Sequence, residues 1–166
     1  MATAAMFGVP AQVLEHIKCI HVDGIVSLID IRKFIDVFNE DNLEYSTLAC
    51  IVMAVDAHIL AIPNIGSQTS TITLCSLSFI FSVHCIFAAV ITQHFGQKMK
   101  SLEFAVYYIE DKPTTVAIIY SAPSFLRTSS VALSTLGFLL GLFSDSGRSW
   151  TTTIPCTMAV VLLASF

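Results

Sequence analysis

Residues Thr69 to Gln93 read TSTITLCSLSFIFSVHCIFAAVITQ, with no formal charge anywhere along them. Crossing about 30 Å of hydrocarbon takes roughly 20 largely apolar residues in a helix, because a helix satisfies its own backbone hydrogen bonds where no water is present. This stretch is long enough and apolar enough, and it sets the reading for the rest of the chain. The fold expected is an all-α integral membrane bundle.

Composition agrees. Of 166 residues, 55% are hydrophobic and 12% charged, whereas a soluble domain carries about a quarter charged residues to cover its surface. The excess apolar surface needs lipid. The charges that exist are unevenly placed. Residues 1–45 hold Lys18, Arg32 and Lys33 against Glu15, Asp23, Asp30, Asp36, Glu40, Asp41 and Glu44, which accounts for the whole net charge of −4. The chain is thus an acidic head, 1–45, followed by a neutral apolar body, 46–166. An acidic head excludes nucleic acid as a partner and offers no polybasic attraction to anionic lipid.

Working outward from 69–93, three more spans are expected. The segment 46–62 is short for a bilayer and carries Asp56 and His58. The segment 121–143 is interrupted by Pro123 and Arg127. Its stretch Thr128 to Phe143 rises about 24 Å, and the Arg127 stem can snorkel to the headgroups. The last, 150–166, begins with Trp150, an interfacial anchor by type, and reaches the chain end without a flanking charge, as a piece of something longer would. With four spans, the head and the loop 94–116 share a side and place Lys18, Arg32, Lys33, Lys98, Lys100 and Lys112 there, against Arg148 alone opposite. With three spans the bias disappears. The positive-inside rule therefore favours four spans with both termini cytoplasmic.

Within the head, Val13, Leu14, Ile17 and Ile20 follow helical spacing, and Asp23-Gly24 signals a turn. Ser27 and Asp30 resemble a capping box ahead of Leu28, Ile31, Phe34, Ile35 and Phe38, so two short amphipathic helices are expected. The N-terminus lacks the cationic region and long apolar core of a signal peptide.

The order His21-Val-Asp-Gly-Ile-Val-Ser-Leu, Lys33-Phe-Ile, Leu60-Ala-Ile62, Leu102-Glu-Phe-Ala and Ala117-Ile-Ile-Tyr-Ser-Ala-Pro123 resembles a family of uncharacterised multi-pass membrane proteins of mushroom-forming (basidiomycete) fungi. The likeness covers roughly residues 14–143. It implies a helical membrane fold with an N-terminal cytosolic segment and no particular activity. This chain departs from the pattern at Phe125-Leu-Arg-Thr-Ser-Ser, where family members continue with a fully apolar helix, and that leaves the start of the third span open.

Few residues suggest chemistry. An ionisable side chain at a span centre costs of the order of 3 kcal/mol on insertion scales, so Asp56 stands out, with His58 and His84 as relay partners. Depth argues against a relay or a haem between the histidines: from the non-cytoplasmic ends, Asp56 lies about 9 Å deep and His84 about 21 Å. His58, two residues from Asp56, points to nearly the opposite side of a helix. The plainer reading is an aspartate protonated or hydrogen-bonded to Ser or Thr of a neighbouring helix.

Gly137 and Gly141 form a G-x-x-x-G element, and Ser130 and Ser134 extend the same small face. Such a face serves a homodimer or packing within the chain. The second is favoured, because three other spans compete for it. In the cluster Glu15, His16, Cys19 and His21, His16 and Cys19 share a helix face at i, i+3 but His21 does not sit at the i+4 position of a helical metal pair, and Cys19, Cys50, Cys75, Cys85 and Cys156 form no C-x-x-C. Asp145-Ser146-Gly147 reads as a turn, and Glu110 to Pro113 as a loop before a helix. No metal, cofactor or catalytic constellation is expected. The chain reads as a non-enzymatic component of the bilayer that pairs with itself or another membrane protein, the alternative being a small transporter or ion- or proton-conducting subunit built on Asp56.

Overall fold

The computed structural model describes residues 21–22, 25–26 and 28–144. The fold among them is all-α apart from a minimal hairpin. Strand β1 (His21–Val22) pairs antiparallel with β2 (Ile25–Val26), His21 opposite Val26 and Val22 opposite Ile25. Four helices follow: α1 (Leu28–Ala61), α2 (Thr69–Met99), α3 (Leu102–Asp111) and α4 (Pro113–Ser144). Three of them, over Ile29–Ala61, Thr69–Met99 and Pro113–Phe143, are long and apolar enough to cross a membrane. The expected helix over 13–20 and the expected span 150–166 lie outside the described residues, as do Asp23-Gly24 and Asp145-Ser146-Gly147.

Helix α1 differs from the expectation of a short amphipathic helix followed by a separate span starting at residue 46. It is one helix of 34 residues. Between Phe38 and Ser46 the chain reads Asn-Glu-Asp-Asn-Leu-Glu-Tyr, with neither Pro nor Gly to break it, and helix propagation costs little once started. The acids mark a face of the helix, not its end. The end comes before Pro63, which disfavours helical geometry at the preceding residue. Asn64 then adopts a left-handed φ of 70°, and Gly66 packs so close to the Leu60 carbonyl that any Cβ there would collide with it.

The region expected to be a loop, 94–116, is mostly helical. Helix α2 runs on to Met99, α3 occupies 102–111, and Lys112 alone separates α3 from α4. Pro113 stands at the first position of α4, where its missing N–H would have had no helical partner.

The chain forms two compact units, and each long helix contributes to both. Of the described residues, the first comprises those up to 49 together with 83–128. Its core joins Ile31, Phe34 and Ile35 of α1 to Met99, Ala105, Val116, Ala117 and Tyr120, with Phe38, Phe95, Phe104 and Tyr108 packed against them. The rings meet edge-on or tilted, Phe38 and Tyr120 at 4.8 Å, Phe95 and Tyr108 at 5.2 Å, arrangements that bring the positive rim of one ring to the face of another. Gly96 lets α1 approach: a Cβ there would sit 3.2 Å from both Ile35 Cγ2 and Tyr120 Oη.

Of the described residues, the second unit comprises 50–82 and 129–144. Ile59, Ile65, Cys75 and Leu142 form its core, with Ile62 and Phe138 alongside.

Burial along α2 has a period of seven. Thr71, Cys75, Ser78, Ser82, Cys85, Ala89, Thr92, Gly96 and Met99 are buried at alternating steps of four and three. All but the last are small. Phe79, Ile80, Phe87, Val90 and Ile91 of the same helix are exposed. Large apolar side chains outside and small, often hydroxylated ones inside is the arrangement suited to lipid, where helices associate by close backbone approach and not by hydrophobic exclusion.

Candidate functional site around Asp56

Four donors from the buried face of α2 bind backbone carbonyls of α4. In the second unit the Thr71 hydroxyl donates to the Gly137 carbonyl at 3.3 Å and the Ser78 hydroxyl to the Ser130 carbonyl at 2.9 Å. In the first, the Cys85 thiol donates to the Pro123 carbonyl at 3.3 Å and the Thr92 hydroxyl to the Ile119 carbonyl at 3.1 Å. These donors stand seven residues apart, two turns of a helix, so each returns to the same side.

The Thr92 bond has a specific cause. Pro123 lies inside α4 and has no N–H, so the carbonyl four residues earlier, Ile119, loses its helical donor. The Thr92 hydroxyl supplies one. Helix α4 therefore continues through Pro123 and through Phe125 to Ser130, the stretch whose reading was open. Arg127, midway along this apolar helix, places its guanidinium 4.5 Å from the centre of the Tyr45 ring on α1, a cation–π contact that holds a charge without full hydration.

The four small residues of α4 are buried in the second unit. Gly137 faces Leu74 and Cys75, and a Cβ added to it would lie 3.1 Å from Leu74 Cβ. Gly141 faces Ile65 and Thr71, at 2.5 Å and 3.0 Å from its own notional Cβ. Ser130 accepts from Ser78 through its carbonyl. Ser134 stands beside Asp56.

Asp56 is completely buried. Its polar neighbours are Ser134, Ser78 and Cys75, yet neither carboxyl oxygen has a partner within hydrogen-bond geometry. Ser78 has turned its proton to the Ser130 carbonyl. Two further buried acceptors of the same unit also lack partners, Gln68 Oε1 and Ser82 Oγ. Comparison with protein-family models, with curated proteins and with solved structures finds no match. The reading of this site therefore rests on its own geometry.

The three polar residues singled out inside the spans do not converge. His58 is exposed on the other side of α1, and its Nδ1 lies 2.6 Å from the Ala54 carbonyl. A carbonyl only accepts, so Nδ1 carries the proton in that bond. His84 is exposed on α2 and belongs to the first unit. Among the described residues no three His, Cys, Asp or Glu side chains stand together as a metal site. Cys50 is exposed, and Cys75 and Cys85 are buried. Glu15, His16, Cys19 and Cys156 lie outside the described residues.

Ser78 went unnoticed in the sequence reading, and Cys75 was noted only for forming no C-x-x-C, because a serine or cysteine within an apolar run is unremarkable there. The signal was available in the seven-residue repeat Thr71, Ser78, Cys85, Thr92. A buried carboxylate with no donor is costly in a low dielectric. The arrangement suits a carboxyl that takes up a proton or a small cation.

Proposed function

We propose that this chain is a non-enzymatic, multi-pass membrane protein that binds a cationic segment of another membrane protein through the outer face of α1. Both apolar surfaces that the sequence offered for association are used internally. Ile31, Phe34 and Ile35 are buried in the first unit, and the face of Ser130, Ser134, Gly137 and Gly141 is buried in the second.

One observation carries the proposal. In the first unit Ile35 meets Gly96, and helices of this length joined by a short connection run antiparallel. Counting in opposite directions from that contact places Glu40 level with Ile91 and Glu44 level with Phe87. Ile91 and Phe87 are exposed large apolar residues, and both glutamates are exposed as well, flanked by Val37 and Leu43. An acidic edge at the height of a lipid-facing apolar surface needs a cover that brings positive charge, since an ionised carboxylate facing hydrocarbon is expensive. The orientation that goes with this reading keeps the Lys- and Arg-bearing segments cytoplasmic.

A photo-crosslinking residue at Val37, in intact membranes, tests it. One discrete adduct is expected, abolished by combining Glu40→Lys with Glu44→Lys, while the same probe at Phe143 yields none. Equal labelling at both positions, or an adduct indifferent to charge reversal, rejects the proposal.

A second reading, a small ion- or proton-conducting subunit, is favoured by the partnerless Asp56 carboxyl alone. Flux into liposomes carrying wild-type or Asp56→Asn protein separates it from the first.

A further inference from the structure

Asp56 combines full burial with the lack of any partner for either oxygen. An isolated carboxylate in the core of an apolar unit must be neutralised, either by a proton or by a cation. What surrounds it decides between them. A protonated carboxyl is satisfied by one acceptor for its proton, whereas a bound cation draws on several oxygens at once. Here the surroundings are unusually rich in acceptor oxygens with spare lone pairs. Ser78 has its proton committed to the Ser130 carbonyl, so its oxygen turns only lone pairs to the carboxylate side. Ser134 stands on the opposite helix beside the same carboxyl. Ser82 is one helical turn beyond Ser78 on the same buried face, its oxygen fully enclosed and partnerless. No ammonium or guanidinium of the described residues lies among them: the second unit has neither Lys nor Arg between residues 50 and 82 or between 129 and 144.

We propose that Asp56, Ser78 and Ser134 form a binding site for one small monovalent cation, sodium or lithium in size and chemistry. A single carboxylate matches a single positive charge, so the bound unit is neutral. All-oxygen ligation suits a hard cation, and the nearest sulfur, Cys75, packs against Gly137. The site lies five residues from the end of α1, about 8 Å from the connection to α2, which gives a hydrated ion a short way in. It builds on the reading of Asp56 as an ion-handling residue, but binding and conduction are measured separately.

The test is binding of radioactive sodium to the full chain purified in detergent, at constant ionic strength with choline as the replacement cation. Saturable binding of about one ion per chain is expected, competed by lithium and not by choline, and accompanied by a rise in the unfolding midpoint with sodium. Asp56→Asn should lower the affinity about a hundredfold and raise the midpoint in sodium-free buffer, because the amide removes the uncompensated charge. Ser78→Ala and Ser134→Ala should each lower the affinity about tenfold while folding normally, which keeps the proposal open to refutation if the Asn variant does not fold. Absence of saturable sodium binding, binding unaffected in all three variants, or a midpoint that follows pH and ignores sodium would overturn it, the last by showing that Asp56 holds a proton only. Sodium binding without flux in liposomes leaves the site standing and removes the conduction reading.

Discussion

Replacing Thr92 by Val removes one hydroxyl and little volume, and its consequence depends on Pro123. With proline at 123 the Ile119 carbonyl has only the Thr92 hydroxyl, 3.1 Å away, to bind it. The same hydroxyl lies 2.8 Å from the Ala88 carbonyl of its own helix, but that carbonyl can take a backbone N–H of α2 in any case. The loss therefore falls on Ile119. Hydrogen bonds between helices in membranes average about 0.6 kcal/mol and reach about 1.7 kcal/mol, and leaving a buried acceptor empty costs about 1 to 3 kcal/mol. Thr92→Val should thus cost about 1.5 kcal/mol. Pro123→Ala restores a backbone N–H at position 123, which can bind Ile119 directly. In that background Thr92→Val should cost about 0.5 kcal/mol or less, so the double-mutant cycle should show a coupling of about 1 kcal/mol. The assay is reversible unfolding in mixed micelles, followed by far-UV circular dichroism, for the four variants. A coupling near zero, with Thr92→Val equally costly in both backgrounds, would refute the assignment of Thr92 as the replacement donor.

Three other outcomes follow from the packing. Gly141→Ala should destabilise by about 1 to 3 kcal/mol, more than Gly137→Ala, because a Cβ at 141 would meet Ile65 at 2.5 Å and Thr71 at 3.0 Å whereas at 137 the closest approach is 3.1 Å; equal midpoints for the two variants would argue against this register. Arg127→Leu and Tyr45→Leu should each lose about 0.5 to 2 kcal/mol and should not add when combined, since each removes the same cation–π contact. Single cysteines at Glu40, Ser67 and Glu103, all exposed, in a cysteine-free background should divide under an impermeant thiol reagent, 40 and 103 together and 67 apart; matching behaviour at 40 and 67 would mean that α1 does not cross.

How far the structure could be read in the sequence depended on which physical signal each residue sends. Hydropathy found the stretch 69–93 because both its outer residues, such as Phe87 and Ile91, and its inner ones, such as Cys85 and Ala89, avoid charge. It could not find where the helices end, because continuity of a helix depends on the absence of breakers and not on apolarity. Hence α1 runs unbroken through Glu40, Asp41 and Glu44, and α3 appears in a stretch that its charges marked as loop. Pro123 misled in the other direction. A proline inside a helix breaks it only if the orphaned carbonyl finds no other donor, and the donor here comes from residue 92 on another helix, so no window around 123 contains the answer.

Spacing was the more informative signal, and it explains why Asp56 looked isolated. In water the inner face of a helix announces itself by large apolar residues at steps of three and four. Where α2 meets α4 in the second unit the code is inverted, and the inner faces are the small residues Thr71, Cys75, Ser78 and Ser82 on α2 and Ser130, Ser134, Gly137 and Gly141 on α4. The register between them follows from the donors alone: Thr71 to Gly137 and Ser78 to Ser130 both advance seven residues on one helix for seven in reverse on the other. Interpolating between those two bonds brings Cys75 and Ser134 to within one residue of the same height, and those two, with Ser78, are the polar neighbours of Asp56. The surroundings of the one buried acid were thus written as two interlocking stripes of small residues. They become a site only when read against each other, because each serine is an ordinary packing residue until a carboxylate without a partner is placed between them.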